Sequence, residues 1–302
     1  MRKEILKFFF SIILLFAFSY CSGPGTSSAS FLKIGIGAKS AGMSDAFSAV
    51  ADDPSTIYWN PAGVAKLSEK EIAVMHNEWL ANIKHNFLGY IHPLNKFSLG
   101  LGCIFLSMDP IPLTEDSWIT TKSFTTYSYA IMLNFSRREK YFLWGANLKF
   151  VQEKIYRYVS SAYGVDIGTI YQLKNIGLDL GLSVLNIGTQ MKFLSESDRL
   201  PLEVRLGTAY HLKKEILVAF DISQPVDNNT ILQLGLHCLP FSFLSLCAGY
   251  KYKLGGNDIE GFGFSAGVGI RWKWVVFDYA FVPFGVLGQT HKIFLSFKLG
   301  KK

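Results

Sequence analysis

Much of the chain after residue 68 alternates between large apolar residues and small or polar ones. The segment 262–272, FGFSAGVGIRW, is one example, and similar alternation covers 176–184, 200–210, 275–281 and 293–299. A period of two is the period of a β-strand. The second face carries Gly, Ser, Ala and isolated charges, whereas a soluble sandwich exposes a polar face rich in Lys and Glu. The pattern therefore favours an all-β transmembrane barrel with a narrow lumen and an apolar outer face, and a soluble sandwich is the structural alternative.

The runs of alternation predict a 14-stranded antiparallel transmembrane β-barrel over residues 69–302. Bacterial outer-membrane barrels have an even number of strands, and closure leaves no sheet edge in contact with lipid. The predicted strands are 70–79, 84–92, 97–108, 122–136, 140–155, 160–173, 175–188, 200–212, 215–223, 229–239, 242–253, 260–272, 274–281 and 289–299.

The lengths of the connections indicate the same topology independently. Connections after even-numbered predicted strands are short, Lys174 being one of them. Most connections after odd-numbered strands are longer, notably 109–121, 189–199 and 282–288, whereas 80–83 is an exception. Short periplasmic turns and long outer loops are typical of outer-membrane barrels. The asymmetry places both ends of the barrel chain in the periplasm.

Residues 1–30 are interpreted as a secretory signal peptide. A basic start precedes an apolar core of 13 residues, Phe8–Tyr20, which is shorter than the ~20 residues of a membrane-spanning helix. The small residues 27–30 offer one cleavage position, and a cut after Cys21 or lipidation of Cys21 are the alternatives. Together with the barrel, the leader predicts location in the bacterial outer membrane.

Residues 31–68 differ from the strands that follow and are rich in Gly and Ala. Ser44-Asp45 and Asp52-Asp53 are helix-start signals, and short helices are expected near 38–49 and 54–58. Asn60 before a proline predicts a turn. A short, partly helical segment of small residues fits a confined space, so we expect it to form an N-terminal hatch, or plug, in the lumen.

Composition and charge exclude several other classes of protein. The formal net charge is +7, but the basic residues are scattered and form no block that would indicate a nucleic-acid surface. Cys103, Cys238 and Cys247 show no CxxC spacing, which argues against a disulfide framework and a zinc site. No metal or other cofactor is expected.

Ionisable residues at inward positions of the predicted strands are the candidate lumen network. Charges in a lumen are expected to pair with each other, to brace the barrel and to hold the plug, and a ligand site is the alternative. The six histidines are dispersed and no Ser-His-acid spacing stands out, so no catalytic residue is assigned and the protein is not expected to be an enzyme. The candidates are Lys149, Asp166, Asp179, Glu203, Arg205, Asp221, Arg271 and Asp278.

Two stretches resemble a known family. FLKIGIGAKSAGMSDAFSAVADDPSTIYWNPAGVAKL, residues 31–67, is similar to the N-terminal signature of the PorV/PorQ (UPF0164) proteins, and 250–299 resembles their C-terminal signature. That family is similar to the FadL outer-membrane transporters, which are 14-stranded barrels plugged by an N-terminal hatch. The resemblance implies hatch and gating roles for Gly35, Gly37, Gly42, Asn60, Pro61 and Ala62.

The resemblance implies two functions of different classes. The first is passive uptake of long-chain fatty acids or other hydrophobic molecules across the outer membrane. The second is a protein-interaction role in a type IX-like secretion system, in which PorV-like barrels carry cargo to secretion partners. The chain departs from a typical fatty-acid transporter by its shortness and modest outer loops. Outer-membrane lipid is an expected partner in both cases.

Overall fold

The computed structural model describes residues 25–115, 118–255 and 263–300. The first 24 residues of the predicted signal peptide, including Cys21, lie outside the described residues. Within them, eighteen strands form one large sheet and two short hairpins. In chain order the strands are β1 (Lys70–Glu78), β2 (Lys84–Leu94), β3 (Phe97–Ser107), β4 (Ile111–Glu115), β5 (Trp118–Phe124), β6 (Thr126–Glu139), β7 (Phe142–Ile155), β8 (Tyr158–Leu173), β9 (Leu178–Gly188), β10 (Gln190–Phe193), β11 (Glu196–Arg199), β12 (Glu203–Lys213), β13 (Ile216–Pro225), β14 (Ile231–Phe241), β15 (Leu244–Lys253), β16 (Gly263–Trp272), β17 (Val275–Pro283) and β18 (Gln289–Leu299).

The large sheet is a closed antiparallel barrel of fourteen strands, as predicted. Its order is β1, β2, β3, β6, β7, β8, β9 and then β12 through β18. The first and last strands close it, in a register that runs from Lys70 opposite Leu299 to Glu78 opposite His291. Every strand therefore has two partners, and no edge of the barrel sheet is left open. The predicted strand boundaries agree with the observed ones to within a few residues.

The two hairpins, β4–β5 and β10–β11, lie in connections that the sequence predicts as plain loops. β5 also explains why β6 begins at Thr126 rather than at residue 122, because Trp118–Phe124 pairs with β4 instead of extending β6. Both hairpins lie at the same end of the barrel, which we call the loop end. The opposite, short-turn end holds the connections 95–96, 140–141, 174–177, 214–215, 242–243 and 273–274.

The outer face of the barrel is apolar over much of its height. Side chains such as Leu99, Leu133, Leu148, Phe135 and Ile270 point outward and stay exposed, while their neighbours along each strand are buried toward the lumen. An exposed apolar band on a closed sheet is the surface that suits lipid. Among the described residues, no helix is both long and apolar enough to cross a membrane.

The lumen is filled by residues 27–67, which we call the hatch. Two short helices and two 3-10 helices lie within it, and nearly all of its side chains are buried. Three further 3-10 segments lie in barrel connections. The hatch elements are a 3-10 helix Ser30–Lys33, α1 (Ala38–Gly42), α2 (Thr56–Trp59) and a 3-10 helix Pro61–Lys66, and the others are Leu80–Asn82, Lys174–Ile176 and Gly285–Leu287.

The predicted helix over 38–49 is wrong beyond Gly42. Ser44 and Asp45 have φ angles of 53° and 65°, which end the helix. Ser44 bonds to Ser265 on β16 at 2.7 Å, and Asp45 pairs with a lysine on β15. Isolated helices of this length have little stability of their own, so these contacts with the wall decide the local conformation.

The expected turn after residue 59 is the start of a 3-10 helix. Asn60 is extended, with φ −156° and ψ 108°, and its side chain caps Pro61–Lys66 by accepting from the Ala62 N–H. The predicted second helix near 54–58 lies at Thr56–Trp59. Proline at the first helical position keeps the preceding residue extended, which is the conformation that the cap requires.

Glycines on the inner face let the hatch backbone approach the wall. A Cβ on Gly249 would lie 2.4 Å from the carbonyl carbon of Met43 and 2.5 Å from the Ser44 nitrogen, and one on Gly145 would lie 2.5 Å from the Pro61 carbonyl oxygen. Real Cβ atoms do not approach backbone this closely. The small inner face predicted from the sequence is therefore a seat for the hatch.

We expect Gly249→Ala to displace the hatch from β15. The added methyl meets backbone atoms, which cannot rotate away, and overpacking of this kind costs about 1–3 kcal/mol. The measurement is the rate of limited proteolysis within the hatch of the detergent-solubilised protein. Ala248→Val is the control, since Ala248 points outward and is exposed. Equal cleavage rates in both variants would contradict the tight seating.

Candidate functional site

The middle of the hatch is bound to the barrel wall through Asp221 on β13. One carboxylate oxygen, Oδ2, accepts hydrogen bonds from the Phe47 N–H at 3.1 Å, the Ser48 N–H at 2.9 Å and Ser48 Oγ at 2.5 Å. Arg205 on β12 pairs with the same oxygen at 3.3 Å. Asp221 is fully buried, and bonds to an ionised acceptor are strong. This contact holds the turn region 43–50 against two strands.

Arg205 binds the hatch at further points. Its guanidinium donates to the Asp45 carbonyl oxygen at 2.7 Å and lies 4.8 Å above the centre of the Trp59 ring. Glu203, two residues earlier on β12, pairs with the guanidinium at 3.0 Å. Three of the predicted lumen residues, Glu203, Arg205 and Asp221, therefore form one cluster with the hatch.

Asn60 is the centre of the contacts nearer the short-turn end. Its Nδ2 donates to the carbonyl oxygen of Thr169 on β8 at 3.2 Å, and its Oδ1 caps Ala62 at 3.1 Å. The carbonyl oxygen of Pro61 accepts from Asn134 on β6 at 3.2 Å. The predicted hatch residues Asn60, Pro61 and Ala62 thus lie where the hatch meets the wall.

Two further wall side chains hold the end of the hatch. Asp179 on β9 pairs with Lys66 at 2.9 Å, and the Lys66 ammonium also donates to the Val50 carbonyl oxygen at 2.6 Å. Asn147 on β7 donates to the Ile57 carbonyl oxygen at 2.8 Å. The predicted lumen residue Asp179 therefore binds the hatch, with a partner that the sequence did not single out.

The three predicted hatch glycines lie at close approaches. A Cβ on Gly35 would lie 2.8 Å from the Trp59 ring, and one on Gly42 would lie 3.0 Å from the backbone of Gly267 on β16. Gly37 has a φ of 94°, which glycine adopts readily, and it precedes α1. These positions require small residues for packing, and the gating role implied by the resemblance stays a prediction.

Arg271 and Asp278 lie apart from the other predicted lumen residues. They are on β16 and β17, in the half of the barrel near the short-turn end. Asp278 is largely buried and close to Asp53 of the hatch, and neither residue forms an ion pair with another described side chain. The structure therefore does not bring them into the Asp221 cluster.

Asp52 and Asp53, which lie in the hatch and outside the strands, differ in their ionisation. Burial opposes ionisation of Asp52, but the Lys39 ammonium at 2.7 Å outweighs it and lowers the pKa to about 2. Burial and the neighbouring Asp52 carboxylate raise the pKa of Asp53 to about 6. One oxygen of Asp53 accepts from the Ser55 N–H at 2.8 Å, and the other is buried without a described partner.

The barrel wall is irregular between β8 and β9. Val165 faces Ile187 and Ile167 faces Val184, so that Asp166 alone faces two residues of β9. One of these two is Asn186, whose φ is 62°. The register shift interrupts the backbone hydrogen-bond ladder between these strands at this point.

Polar side chains close the interruption from the inside. Asp166 Oδ1 accepts from the Asn186 N–H at 2.7 Å, in place of a ladder bond. The Lys149 ammonium donates to Asn186 Oδ1 at 2.6 Å and to Asp166 at 3.0 Å, and Asn147 donates to Asp166 Oδ2 at 2.8 Å. We call Lys149, Asp166 and Asn186 the wall triad. Two of its members, Lys149 and Asp166, are predicted lumen residues.

An apolar groove lies on the outer face at the same place, and we call it the wall groove. Its volume is about 620 Å³. Gly164 and Gly188 face each other beside the triad, and Lys149, whose side chain points inward, lines the groove as well. The remaining lining residues are mostly apolar: Ile131, Leu133, Leu148, Phe150, Tyr163, Val165, Ile187 and Thr189.

Two cavities lie inside the barrel near the loop end. The mouth pocket, about 250 Å³, lies between the hatch and the wall and includes Trp79, Phe264 and Phe284. The inner pocket, about 120 Å³, includes Leu32, Tyr58, Trp59 and Asn186. Both pockets are lined by Lys33, Asp45, Asn228, Ile231 and Lys251.

Neighbouring spaces therefore extend from the loop end to the inner side of the wall triad. The mouth pocket adjoins the inner pocket, the inner pocket reaches Asn186, and Asn186 is bonded to Lys149 of the wall groove. The first part of the hatch lies over this region: the Ser28 N–H donates to Arg199 O at 2.9 Å, and Lys33 pairs with Asp227.

Several residues of this site were not found from the sequence. Asn147 and Asn186 are uncharged and were indistinguishable from other small polar residues on inward positions. Lys251 and Lys292 alternate with their apolar neighbours and could have been found by the same rule that gave Lys149. Among the described residues, no group of three or more His, Cys, Asp or Glu side chains is placed to hold a metal ion.

Residues 22–161, slightly less than half of the chain, match the model of an uncharacterised protein family, UPF0164. No curated protein matches the chain. Sequence comparison therefore supports the UPF0164 part of the resemblance and assigns no activity.

Solved structures of outer-membrane channels share the fold. The toluene transporter TbuX of Ralstonia pickettii is 11% identical, with a TM-score of 0.61 over 88% of this chain and 99% of that one. A deletion mutant of the monoaromatic hydrocarbon channel TodX is 12% identical, with a TM-score of 0.64 over 89% and 99%. A FadL homologue of Pseudomonas aeruginosa is 12% identical, with a TM-score of 0.59 over 87% and 98%. At these identities the similarity shows the fold alone, a barrel of the FadL type.

We expect Asp221→Asn to loosen the middle of the hatch. The amide keeps the shape but removes the charge that accepts two backbone N–H groups and pairs with Arg205, at a cost of about 1.5–3 kcal/mol for each charged bond. Hydrogen exchange of the peptide covering 45–50 should accelerate at least tenfold. Asp109→Asn is the control, because Asp109 is exposed at the loop end. Unchanged exchange in Asp221→Asn would contradict the anchoring role.

We expect Asp53 to make the hatch less stable as the pH rises from about 4 to about 6. Its pKa is raised in the folded protein, so the folded state holds the proton that the unfolded chain has released, and stability falls through that window and is constant above it. Asp52 does not contribute to this change, because its pKa is lowered to about 2 and it releases its proton below this pH range. Hydrogen exchange of residues 45–60 measures the effect.

The control for this pH effect is Asp53→Asn. The amide oxygen can still accept from the Ser55 N–H, and no proton is exchanged. The exchange rate of the variant should depend less on pH between 4 and 7 than that of the wild type, after correction for intrinsic exchange. A wild-type hatch that is equally protected at both ends of the range would show that Asp53 does not carry the effect.

Proposed function

We propose that this protein is an outer-membrane β-barrel, exported by its leader, that lets hydrophobic molecules such as long-chain fatty acids pass passively toward the membrane interior. The loop end faces the cell exterior and the short-turn end faces the periplasm. The apolar outer face, the short turns at one end and the FadL-type fold support this orientation and location. Outer-membrane lipid surrounds the barrel.

One observation carries the proposal: the inner pocket and the apolar wall groove lie on the two sides of the interruption of the wall. Asn186 lines the first, Lys149 lines the second, and they are joined by a hydrogen bond of 2.6 Å. The wall triad, with the side chain of Leu200 beside it, separates a hydrophobic molecule in the inner pocket from the wall groove. The hatch, from Ser27 to Leu67, fills the lumen and therefore opposes passage along the barrel axis.

The wall triad suits a gate better than a permanent wall. The two bonds of the Lys149 ammonium are made between side chains, which can rotate without unpairing β8 from β7 or β9 from β12. The facing glycines Gly164 and Gly188 carry no side chains of their own, and the Leu200 side chain covers them, with its Cδ1 2.8 Å from where a Cβ on Gly188 would lie. An apolar molecule that moves sideways into lipid keeps its surface away from water throughout, which is the favourable direction for a hydrophobic solute.

The mouth and inner pockets together have the size expected of a small-molecule site, about 300–1,000 Å³. The TbuX and TodX structures are described as a toluene transporter and a monoaromatic hydrocarbon channel, which supports a hydrophobic solute for this barrel too. The protein-interaction role implied by the PorV/PorQ resemblance rests on that resemblance alone, and no contact of the described residues favours it.

The test is uptake of radiolabelled oleate or toluene by bacterial cells that lack their own hydrophobic channel and express this protein. Val165→Trp should lower the uptake rate at least tenfold, because the indole fills the wall groove on the lipid side. Val268→Trp is the matched control, since Val268 points outward from β16, away from the groove.

Each outcome of the uptake experiment bears on a different part of the proposal. Uptake that needs the protein and is blocked only in Val165→Trp supports the lateral route. Uptake that is equal in the two variants removes the lateral route and leaves passage along the lumen. Cells that take up neither solute faster than cells without the protein would end the transport proposal.

A further inference from the structure

A second polar cluster lies on the opposite side of the barrel from the wall triad, where β1 joins β2 and β18. Asn77 on β1 faces His85 on β2 and Lys292 on β18 in the strand register. Facing residues of antiparallel strands lie about 4.5–5.5 Å apart at Cα. Thr290, two residues before Lys292, is on the same inward face of β18. We call these four residues the seam cluster.

The side chains of the seam cluster are buried, but most of their polar atoms lack a hydrogen-bond partner among the described residues. Asn77, His85 and Thr290 are 0% exposed and Lys292 is 3% exposed. Among the described residues, the amide oxygen and nitrogen of Asn77, both ring nitrogens of His85 and the hydroxyl of Thr290 have no hydrogen-bond partner. Buried polar side chains in proteins are nearly always hydrogen-bonded, so three adjacent exceptions indicate that a bonding group belongs there.

The charge around the cluster is positive. The Lys292 ammonium has three N–H groups, and one of them donates to the Gly35 carbonyl oxygen at 2.7 Å. The carboxylate that acts on Lys292 is that of Asp45, which is already paired with Lys251. Two ammonium groups therefore share one carboxylate in a buried region, and an unpaired buried charge calls for a counter-charge.

The geometry points to an anion-binding site formed by Lys292, Asn77, His85 and Thr290. All four side chains can donate a hydrogen bond: the ammonium, the amide NH₂, one imidazole N–H and the hydroxyl. An anion among them would satisfy the donors and neutralise the surplus charge together. This inference goes beyond the proposed passage of hydrophobic molecules and does not depend on it.

The mouth pocket adjoins the proposed site at Lys292. Lys292 and Trp79 line that pocket, and the Lys292 ammonium lies 6.0 Å from the centre of the Trp79 ring. An acidic group on a solute in the mouth pocket could therefore fill the site, and so could a free inorganic anion. The shared chemistry is a small anion, and the experiment separates the two sources.

The experiment measures the thermal unfolding midpoint of the full protein in neutral detergent at low ionic strength, with increasing bromide, phosphate, benzoate or toluene. Benzoate and toluene share a ring and differ in the carboxylate. Crystals soaked in bromide locate the anion by anomalous scattering. We expect a saturable rise in the midpoint with at least one anion, and bromide density beside Lys292 if free anions bind.

Three variants test whether the anion effect comes from the seam cluster. Lys292→Met keeps the length of the side chain and removes the charge, and it should abolish the anion effect. Thr290→Val keeps the shape, removes the hydroxyl and should weaken anion binding at least tenfold, which provides a test if Lys292→Met does not fold. Lys84→Met is the control, because Lys84 lies at the loop end of β2 but is half exposed and outside the cluster.

The outcomes distinguish a free anion from the acidic group of a solute, and some of them would overturn the inference. Binding of bromide, phosphate and benzoate indicates a free-anion site, and binding of benzoate alone indicates a site for the acidic group of a solute. Equal anion effects in the wild type and Thr290→Val, bromide density away from Lys292, or water molecules alone on the four side chains would overturn the inference. None of these results involves uptake, so they are independent of the Val165→Trp experiment.

Discussion

The hatch must find hydrogen-bond partners for its backbone inside a tube that is apolar on the outside, and the rest of the structure depends on this requirement. A buried peptide group without a partner costs several kcal/mol. The Asp221 carboxylate accepts two hatch N–H groups, and Asn147 donates to a hatch carbonyl. The inward faces of the strands therefore carry polar side chains where the hatch backbone needs them, and glycine where it comes closest.

The barrel could be predicted because a closed sheet repeats one simple rule. A strand that faces lipid needs apolar residues on alternate positions, as Phe264, Val268 and Ile270 show on β16, and much of the barrel chain repeats this pattern. The inside of the hatch could not be predicted in the same way, since α1 and α2 are too short to be stable alone. Ser44 and Asp45 take left-handed conformations because of partners on β15 and β16, and those partners lie more than 200 residues away in the chain.

On the barrel wall, several charged residues of the site could be predicted, and the neutral asparagines could not. Lys149, Asp166, Arg205 and Asp221 stand out because a charge on an inward position needs a partner. Asn186 does not stand out, although it completes the wall triad. Asparagine tolerates a positive φ more readily than most residues, and that property, rather than any pattern, allows the register shift between β8 and β9.

The distribution of hydrogen bonds also determines which part of the molecule can move. Removing the hatch would break the Asp221 contacts, the Asn60 and Asn134 bonds and the Lys66 pair, and would expose Trp59. Moving the Lys149 ammonium breaks two or three bonds, while Asp166 stays bonded to Asn147 and to the Asn186 backbone. Each such bond contributes on the order of 1–3 kcal/mol, so moving the Lys149 ammonium requires less free energy than ejection of the hatch. The route proposed above therefore leaves the hatch in place, as the floor of the pocket beside the wall.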